Sequence, residues 1–267
     1  MTESFDADWL ALREPADHAA RRDALVTTLR AGLAGRAGAE PLEVTDLGSG
    51  TGSNLRYLAP RLPVPQHWRL VDHDAALLRR AVAPVGGVEV ERWVGDLAAD
   101  PGAALPPKAS LVTGAALLDL VSEQWLARLL AACADQAAMV LFALSFDGRI
   151  RWSDSHPLDA ELEDAVNRHQ RSDKGFGPAL GPTAAAACAA RLEALGYQVE
   201  SCTSDWRIDV DQTALGAALI HGWVGAASEM VPERAAELRA WGVARAEALA
   251  RGEVELTVGH RDVLGWP

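Results

Sequence analysis

The chain has 267 residues, enough to bury a large core, and sets 25 lysines and arginines against 37 aspartates and glutamates for a net charge of −12. With no basic run and no aromatic–basic patch, a nucleic-acid backbone is an unsuitable partner. No apolar stretch is long enough to cross a membrane, residues 1–30 lack the apolar core of a signal peptide, and Cys133, Cys188 and Cys202 offer neither metal-ligand spacing nor a disulfide framework. The expectation is a cytoplasmic enzyme with no metal.

From Asp8 to Leu33 charged residues alternate with Trp9, Leu10, Leu12, Ala19, Leu25, Val26 and Leu29, which predicts two or three amphipathic helices broken near Pro15. Glu43–Leu47 reads as a short buried strand, and Leu55, Leu58 and Leu62 recur at helical spacing from Asn54 onward. Between them stands DLGSGTG, Asp46–Gly52, so Gly48, Gly50 and Gly52 fall on a strand-to-helix turn where a missing Cβ lets a ligand touch the backbone. A dinucleotide loop would place a third glycine where Ser53 stands, and no Lys-Ser/Thr pair marks a phosphate loop. The carboxylate of Asp46 would repel a pyrophosphate; it suits an ammonium group, or it organises the loop.

Trp68–Val71 predicts a second strand ending in Asp72-His73-Asp74, about twenty residues past the last glycine, where an acid can take both hydroxyls of a ribose. Asp72 directly follows the apolar run, whereas Asp74 precedes Leu77, Leu78 and Ala81 and is placed as a helix N-cap. Val88–Val94 alternates as a third strand and ends in Gly95-Asp96-Leu97, an acid for an adenine amine beside an apolar face. Ser110–Gly114 forms a fourth strand leading into Ala115-Ala116-Leu117-Leu118-Asp119.

These four ordered motifs together resemble the class I S-adenosylmethionine-dependent methyltransferases. DLGSGTG is similar to their first motif, VDHD to the second with its ribose-binding acid, GDL to the third with its adenine-binding acid, and VTGAALLDLVS to the fourth, which lines the methyl-transfer site. The resemblance covers residues 40–145 well and the remainder only by topology. It implies an α/β fold, a doubly wound, mostly parallel seven-stranded sheet with helical insertions, and S-adenosyl-L-methionine as cofactor. Carried onto this chain, the cofactor-binding residues are Asp46, Gly48, Ser49, Gly50, Gly52, Asp72, His73, Asp96, Leu97, Gly114 and Ala115, with His73 stacking near the adenosine. The chain is somewhat long for this class, leaving room for a substrate-binding elaboration. In such proteins an N-terminal helical segment folds over the cofactor, so Arg13, Asp17 and Arg21 are candidates for a carboxylate of the cofactor or the acceptor.

Beyond the fourth motif, Ser122–Cys133 is an amphipathic helix, Ala138–Leu144 a fully apolar fifth strand, Thr183–Leu195 a helix stopped by Gly196, and Tyr197–Cys202 a strand. Residues 147–181 leave the fifth strand at the ligand crevice and are expected to form a lid over the acceptor. Their helix, Asp159–Arg171, puts Leu158, Leu162, Ala165, Val166 and His169 on one stripe and is followed by the glycine-rich loop Ser172–Pro178. Residues 205–252 read as a second insertion of two helices, with Pro232 at a first helical position, before a last strand around Val254, Leu256 and Val258. One domain results: cap 1–40, cofactor half 41–146, lid 147–181, and C-terminal half 182–267.

Sulfonium is an excellent leaving group, so methyl transfer chiefly asks that the acceptor be held in line with the methyl carbon. A base is needed only for a protonated acceptor, and His169 is the best-placed histidine for that role. Asp119, after the fourth motif, is the candidate for orienting an amine acceptor or binding a metal. Asp147, Arg149, Trp152, Lys174 and Trp206 rank below these as packing residues or surface pairs, and His221 and His260 show no constellation. The expected activity is methylation of an oxygen or nitrogen atom of a small molecule, with no nucleic-acid or membrane partner and a homodimer left open. The rivals are a non-catalytic cofactor-binding subunit and an aminopropyltransferase-like enzyme.

Overall fold

The computed structural model describes residues 6–35 and 40–267. Its strands follow the apolar runs: β1 (Leu42–Leu47), β2 (Gln66–Asp72), β3 (Val88–Val94), β4 (Leu111–Ala115), β5 (Met139–Trp152), β6 (Gln198–Thr203), β7 (Trp206–Ile208) and β8 (Leu256–Trp266). The helices are α1 (Ala7–Ala20), α2 (Asp23–Ala34), α3 (Ser53–Leu58), α4 (Ala75–Leu78), α5 (Glu123–Asp135), α6 (Asp159–Gln170), α7 (Ala184–Ala194), α8 (Thr213–Met230) and α9 (Ala235–Ala250). The sheet order is β3-β2-β1-β4-β5-β8-β6, with β7 also paired to β8. β1 to β5 run parallel, and β8 lies antiparallel to β5, β6 and β7. This is the expected doubly wound, mostly parallel sheet. Strand order reverses between β1 and β4, which opens the ligand crevice at their C-terminal ends.

The expected count of seven becomes eight because one strand position is shared. β6 pairs with residues 261–266 of β8 and β7 with residues 256–258, so the two are one strand interrupted at Ser204-Asp205. Side-chain bonding draws the break inward: Ser204 Oγ donates to Asp262 Oδ1 at 2.5 Å, and Asp205 accepts from Arg149 and from the His260 N–H.

Four boundaries differ from the sequence reading. The last strand, expected around Val254, Leu256 and Val258, starts at Leu256 and runs on to Trp266, paired with β5 and β6. α1 runs straight through Pro15, and the chain leaves the helix at Arg21-Arg22 instead. There Arg21 is buried and bonded to Asn54, which pulls the backbone into an extended turn. β5 does not stop at Leu144 but continues to Trp152, so residues 147–152 belong to the sheet and the crevice insertion starts after them. Two bulges permit the extension, one between Phe142 and Ser145 and one between Phe146 and Ile150, while β8 supplies pairing along the whole length. The first helix after the glycine loop is α-helical only to Leu58 and closes with a 3-10 turn at Ala59–Arg61.

The two insertions expected to be separate pack into one helical layer. Leu162, Ala165 and Val166 of α6, Ile220, Trp223 and Ala227 of α8, and Leu238, Trp241 and Leu249 of α9 share a core with Ile150 of β5, Ile208 of β7 and Val258 of β8. Polar ties fix the register: Asp159, first residue of α6, pairs with the buried Arg245 and accepts from Trp241 Nε1 at 2.8 Å. No helix of the described residues is long and apolar enough to cross a membrane.

Candidate active site

The glycine turn is held from below by side chains. Ser49 Oγ donates to the Asp46 carbonyl at 2.6 Å and accepts the Val71 N–H at 3.0 Å, locking the loop to β2. The Gly50 N–H donates to Asp72 Oδ2 at 2.8 Å, and Asp72 Oδ1 accepts the Asp74 N–H at 2.9 Å, so the acid at the end of β2 positions the loop as well as facing the crevice. Asp74 caps α4, accepting from Ala76 and Leu77 at 2.6 and 3.2 Å. Gly50 has φ +51°, and an added Cβ would lie 3.0 Å from Leu10 Cδ1, because α1 folds down over the turn.

Asp46 lies beneath the loop, fully buried, with Oδ1 accepting from Asn54 Nδ2 at 2.7 Å. Burial pushes its carboxyl up to about 7 against the opposing pull of the Asn54 bond and the Arg21 cation. Of the two alternatives for this residue, organising the loop is the one its contacts serve. Gly52 and Gly114 face the interior: a Cβ on Gly52 would stand 2.8 Å from Ala81 Cβ, and one on Gly114 3.0 Å from the Leu47 carbonyl.

Three cavities adjoin along the sheet edge. The first lies over the ends of β1 to β4 and brings together Gly48, Asp72, His73, Asp96, Leu97 and Ala115. Asp96 is exposed and accepts the Ala98 N–H at 2.9 Å, while the Leu97 carbonyl anchors Trp125 Nε1 at 2.6 Å. The second is small and sits between α1 and the glycine turn, lined by Asp17, His18, Arg21, Ser49, Gly50 and Asn54. The third, about 390 Å³, opens under the helical layer and holds Asp119, Phe146, His169, Lys174, Trp206 and Trp223. Arg13 borders all three.

The small cavity is basic. Arg21 is 7% exposed, its Nη1 donates to Asn54 Oδ1 at 2.6 Å, and its guanidinium lies 4.2 Å over the Tyr57 ring. Its Nε and Nη2 are buried with no hydrogen-bond partner, an arrangement that stands out because buried polar groups are ordinarily bonded. Burial holds its pKa below the usual arginine value, with Asp262, Tyr57 and Asp46 opposing. Arg13 is committed to Asp17 at 2.9 Å, and Asp17 also accepts from Trp206 Nε1 at 3.1 Å.

In the large cavity both nitrogens of His169 are engaged: Lys174 Nζ stands 3.4 Å from Nδ1, and Glu229 Oε2 is 3.3 Å from Nε2. The structure thus brings His169 and Asp119 to one cavity. Asp147, Arg149 and Asp205 form an ion-paired group, and Trp152 packs edge-on against Trp241, as expected of packing residues. Lys174 and Trp206 belong to the cavity instead. His260, for which the sequence showed no constellation, lies buried on β8 in the cavity wall, with its ring centroid 4.6 Å from Trp206 and 6.2 Å from Phe146. Burial drives its pKa down to about 3. The alternation Val258, His260, Asp262, which carries on past the strand expected around Val254–Val258, was the signal that could have found it. Trp9, read in sequence only as an apolar residue of the N-terminal helices, completes the aromatic wall with Phe146 and Trp223, which were unremarked there.

Where the cavities meet, two non-glycine residues adopt left-handed backbone: Ala116 at φ +52° and Leu144 at φ +57°. Each is held by a bond that offsets the strain, Ala116 N–H to the Ala143 carbonyl at 2.9 Å and Leu144 N–H to Asp262 Oδ1 at 2.7 Å. Among the described residues no group of three or more His, Cys, Asp or Glu is placed to hold a metal ion. Cys133, Cys188 and Cys202 are free thiols, their pKa values raised by burial.

No protein-family model and no curated protein matches the chain. Solved structures do. The cyclopropane synthase MmaA2 of Mycobacterium tuberculosis aligns over 98% of this chain and 94% of its own at 11% identity and a TM-score of 0.51. A SAM-dependent methyltransferase from Geobacter sulfurreducens, in complex with S-adenosyl-L-homocysteine, aligns over 98% of both chains at 19% identity and a TM-score of 0.48. Another from Thiobacillus denitrificans, with the same ligand, covers 99% of this chain and 100% of its own at 20% identity and 0.46. The likeness to the synthase establishes a shared fold, the doubly wound α/β sheet with its helical cover.

Proposed function

We propose that this chain is an S-adenosylmethionine-dependent methyltransferase acting on an oxygen or nitrogen atom of a small molecule. The observation that carries the reading is that the cavity over the β1–β4 ends meets the large cavity under the helical layer at Arg13, Ala116, Leu120 and Lys174. Such an arrangement serves two ligands brought end to end.

The residues present fit the cofactor. Asp72 offers acceptors to the ribose hydroxyls, Asp96 to the adenine amine beside Leu97, and the Gly48–Gly50 backbone a close approach. The two unpartnered nitrogens of Arg21 in the small cavity suit the carboxylate of the methionyl end. When bound, the cofactor supplies a methyl group on a sulfonium leaving group. The chain's own part is to exclude water with α1 and the helical layer and to orient the acceptor. Asp119, on the 3-10 turn after β4, lines the acceptor cavity, and His169 acts by holding Lys174.

Isothermal titration with S-adenosylmethionine and S-adenosylhomocysteine tests the cofactor half, and absence of heat with both rejects it. Incubating a metabolite extract with isotopically methyl-labelled cofactor and following the label by mass spectrometry tests the transfer.

A further inference from the structure

The large cavity carries chemistry that reaches past the class of reaction. Its walls are aromatic, with Trp9, Phe146, Trp206 and Trp223 around a space of about 390 Å³, a size for a small ring-bearing molecule. Its charged lining is two cations, Arg13 and Lys174, against one acid, Asp119. Arg13 is already matched by Asp17 at 2.9 Å, and Asp119 is itself engaged. Lys174 is different: it is 9% exposed and makes no ion pair among the described residues, its Nζ having His169 Nδ1 at 3.4 Å as its hydrogen-bond partner. A buried ammonium with no counter-ion is costly to keep, so a ligand anion is the missing partner.

The lysine is also held still. Asp173 Oδ1 accepts the N–H groups of Gly175 and Gly177 at 2.7 and 3.0 Å, curling the loop around its own side chain, and Phe176 anchors it edge-on against Trp125 with centroids 5.6 Å apart. His169 Nδ1 accepts from Lys174, which leaves the ring proton on Nε2 facing Glu229, so the imidazole steers the lysine and has no nitrogen left for a substrate proton. His260, the other histidine of the wall, is driven down to about 3 by burial and is a feeble base. An acceptor that arrives already deprotonated needs neither. Lys174 lines both the large cavity and the cofactor cleft, so an anion bound to it sits where the two ligands meet.

We infer, resting on the methyltransferase reading above, that the acceptor is a ring-bearing carboxylic acid whose carboxylate is bound by Lys174 and is itself methylated, giving a methyl ester. A lone pair of the carboxylate oxygen forms the new O–C bond as the methyl–sulfur bond breaks and its electron pair returns to sulfur. The anion and the sulfonium become a neutral ester and a neutral thioether, and no proton moves.

Phenylacetate, cinnamate and indole-3-acetate, each paired with its primary amide, are suitable probes, read by quenching of tryptophan fluorescence with S-adenosylhomocysteine bound. At least one acid is expected to bind about tenfold or more tightly than its amide. That preference should collapse in Lys174→Met, with Lys174→Gln as a second uncharged variant, and persist in Lys174→Arg. With labelled cofactor the product of the bound acid should release its methyl as methanol in mild alkali, as an ester does and an N-methyl or aryl ether does not. If the wild-type protein binds S-adenosylhomocysteine but no acid at millimolar concentration, the inference fails while the methyltransferase reading stands. Equal binding of acids and amides, a preference that survives in both uncharged variants, or an alkali-stable product overturns it equally. Failure to bind either form of the cofactor overturns the reading beneath it.

Discussion

Arg21→Met puts the cofactor assignment to its sharpest test, because binding and stability should move apart. The guanidinium is buried with Nε and Nη2 unpartnered, while Nη1 is satisfied by Asn54 and the plane rests on Tyr57. If both orphan nitrogens close on the carboxylate of the methionyl end, two charge-assisted bonds are lost on substitution, roughly 3–5 kcal/mol or two to nearly four orders of magnitude in Kd. The ligand-free protein loses one hydrogen bond and a ring contact but also sheds a desolvated charge, terms of opposite sign that should leave its Tm within a few degrees. Titration with S-adenosylmethionine and with its decarboxylated form supplies the cycle, the two differing only in the carboxylate: wild type should favour the ligand that carries it, and Arg21→Met should treat the two alike. A variant that folds soundly and binds S-adenosylhomocysteine as tightly as wild type refutes the assignment. A wild type that favours the decarboxylated ligand would shift the chain toward aminopropyl transfer.

Asp72→Ala should cost roughly 2–4 kcal/mol of cofactor binding, since its carboxylate both faces the crevice and holds the Gly50 and Asp74 N–H groups, whereas Asp74→Ala should cost about 1 kcal/mol of stability through the lost cap of α4. Titration and melting of the two variants check this, and a reversed pattern would show that Asp74 is the ligand. Asp46→Asn should change the pH profile of stability. The folded carboxyl is raised to about 7 from 3.8, so its contribution is greatest below the unfolded value and is lost as pH climbs to the folded one. Wild type should therefore lose on the order of 3 kcal/mol between about pH 5 and pH 8 that the variant keeps. Denaturant melts of both proteins at the two pH values measure the difference, which isolates Asp46 because the buried Asp17 and Asp262, also raised, tilt both curves alike; parallel behaviour contradicts the burial argument. Gly50→Val should abolish cofactor binding and lower Tm, as it strains a φ of +51° and drives a branched side chain toward Leu10, and unchanged titration heats would show that the loop does not meet the ligand.

The cofactor half was legible because its information is local. A strand, a glycine turn and a helix are adjacent in sequence, Asp72 sits directly after an apolar run and Asp96 one glycine past an alternating strand, so period and punctuation suffice to place them. Even there the roles within the turn needed coordinates: Asp46 and Gly52 match the motif as well as Gly48 does, yet the first is buried under the loop and the second is packed against Ala81. Nothing in the spacing distinguishes a glycine that faces a cavity from one packed against a neighbouring loop.

The large cavity was illegible for the opposite reason, because its wall is assembled from segments far apart in the chain. Trp9 comes from α1, Phe146 from β5, Lys174 from a loop, Trp223 from α8 and His260 from β8. What joins them is the continuation of β5 past Leu144, which the apolar run alone does not reveal. Beyond that residue the pairing with β8 is broken by bulges, and the sequence turns to Asp147, Gly148 and Arg149. The strand survives because β8 pairs with it on both sides of those bulges, and Asp262 of β8 accepts the Leu144 N–H at the first of them. The partner strand lies more than a hundred residues away, and the bulge it stabilises turns Leu144 toward the cavities. A left-handed leucine is disfavoured on its own terms, so the position of the cavity wall was written in Asp262, a residue whose alternation on the last strand marks it as inward-facing but whose bonding partner no local pattern names.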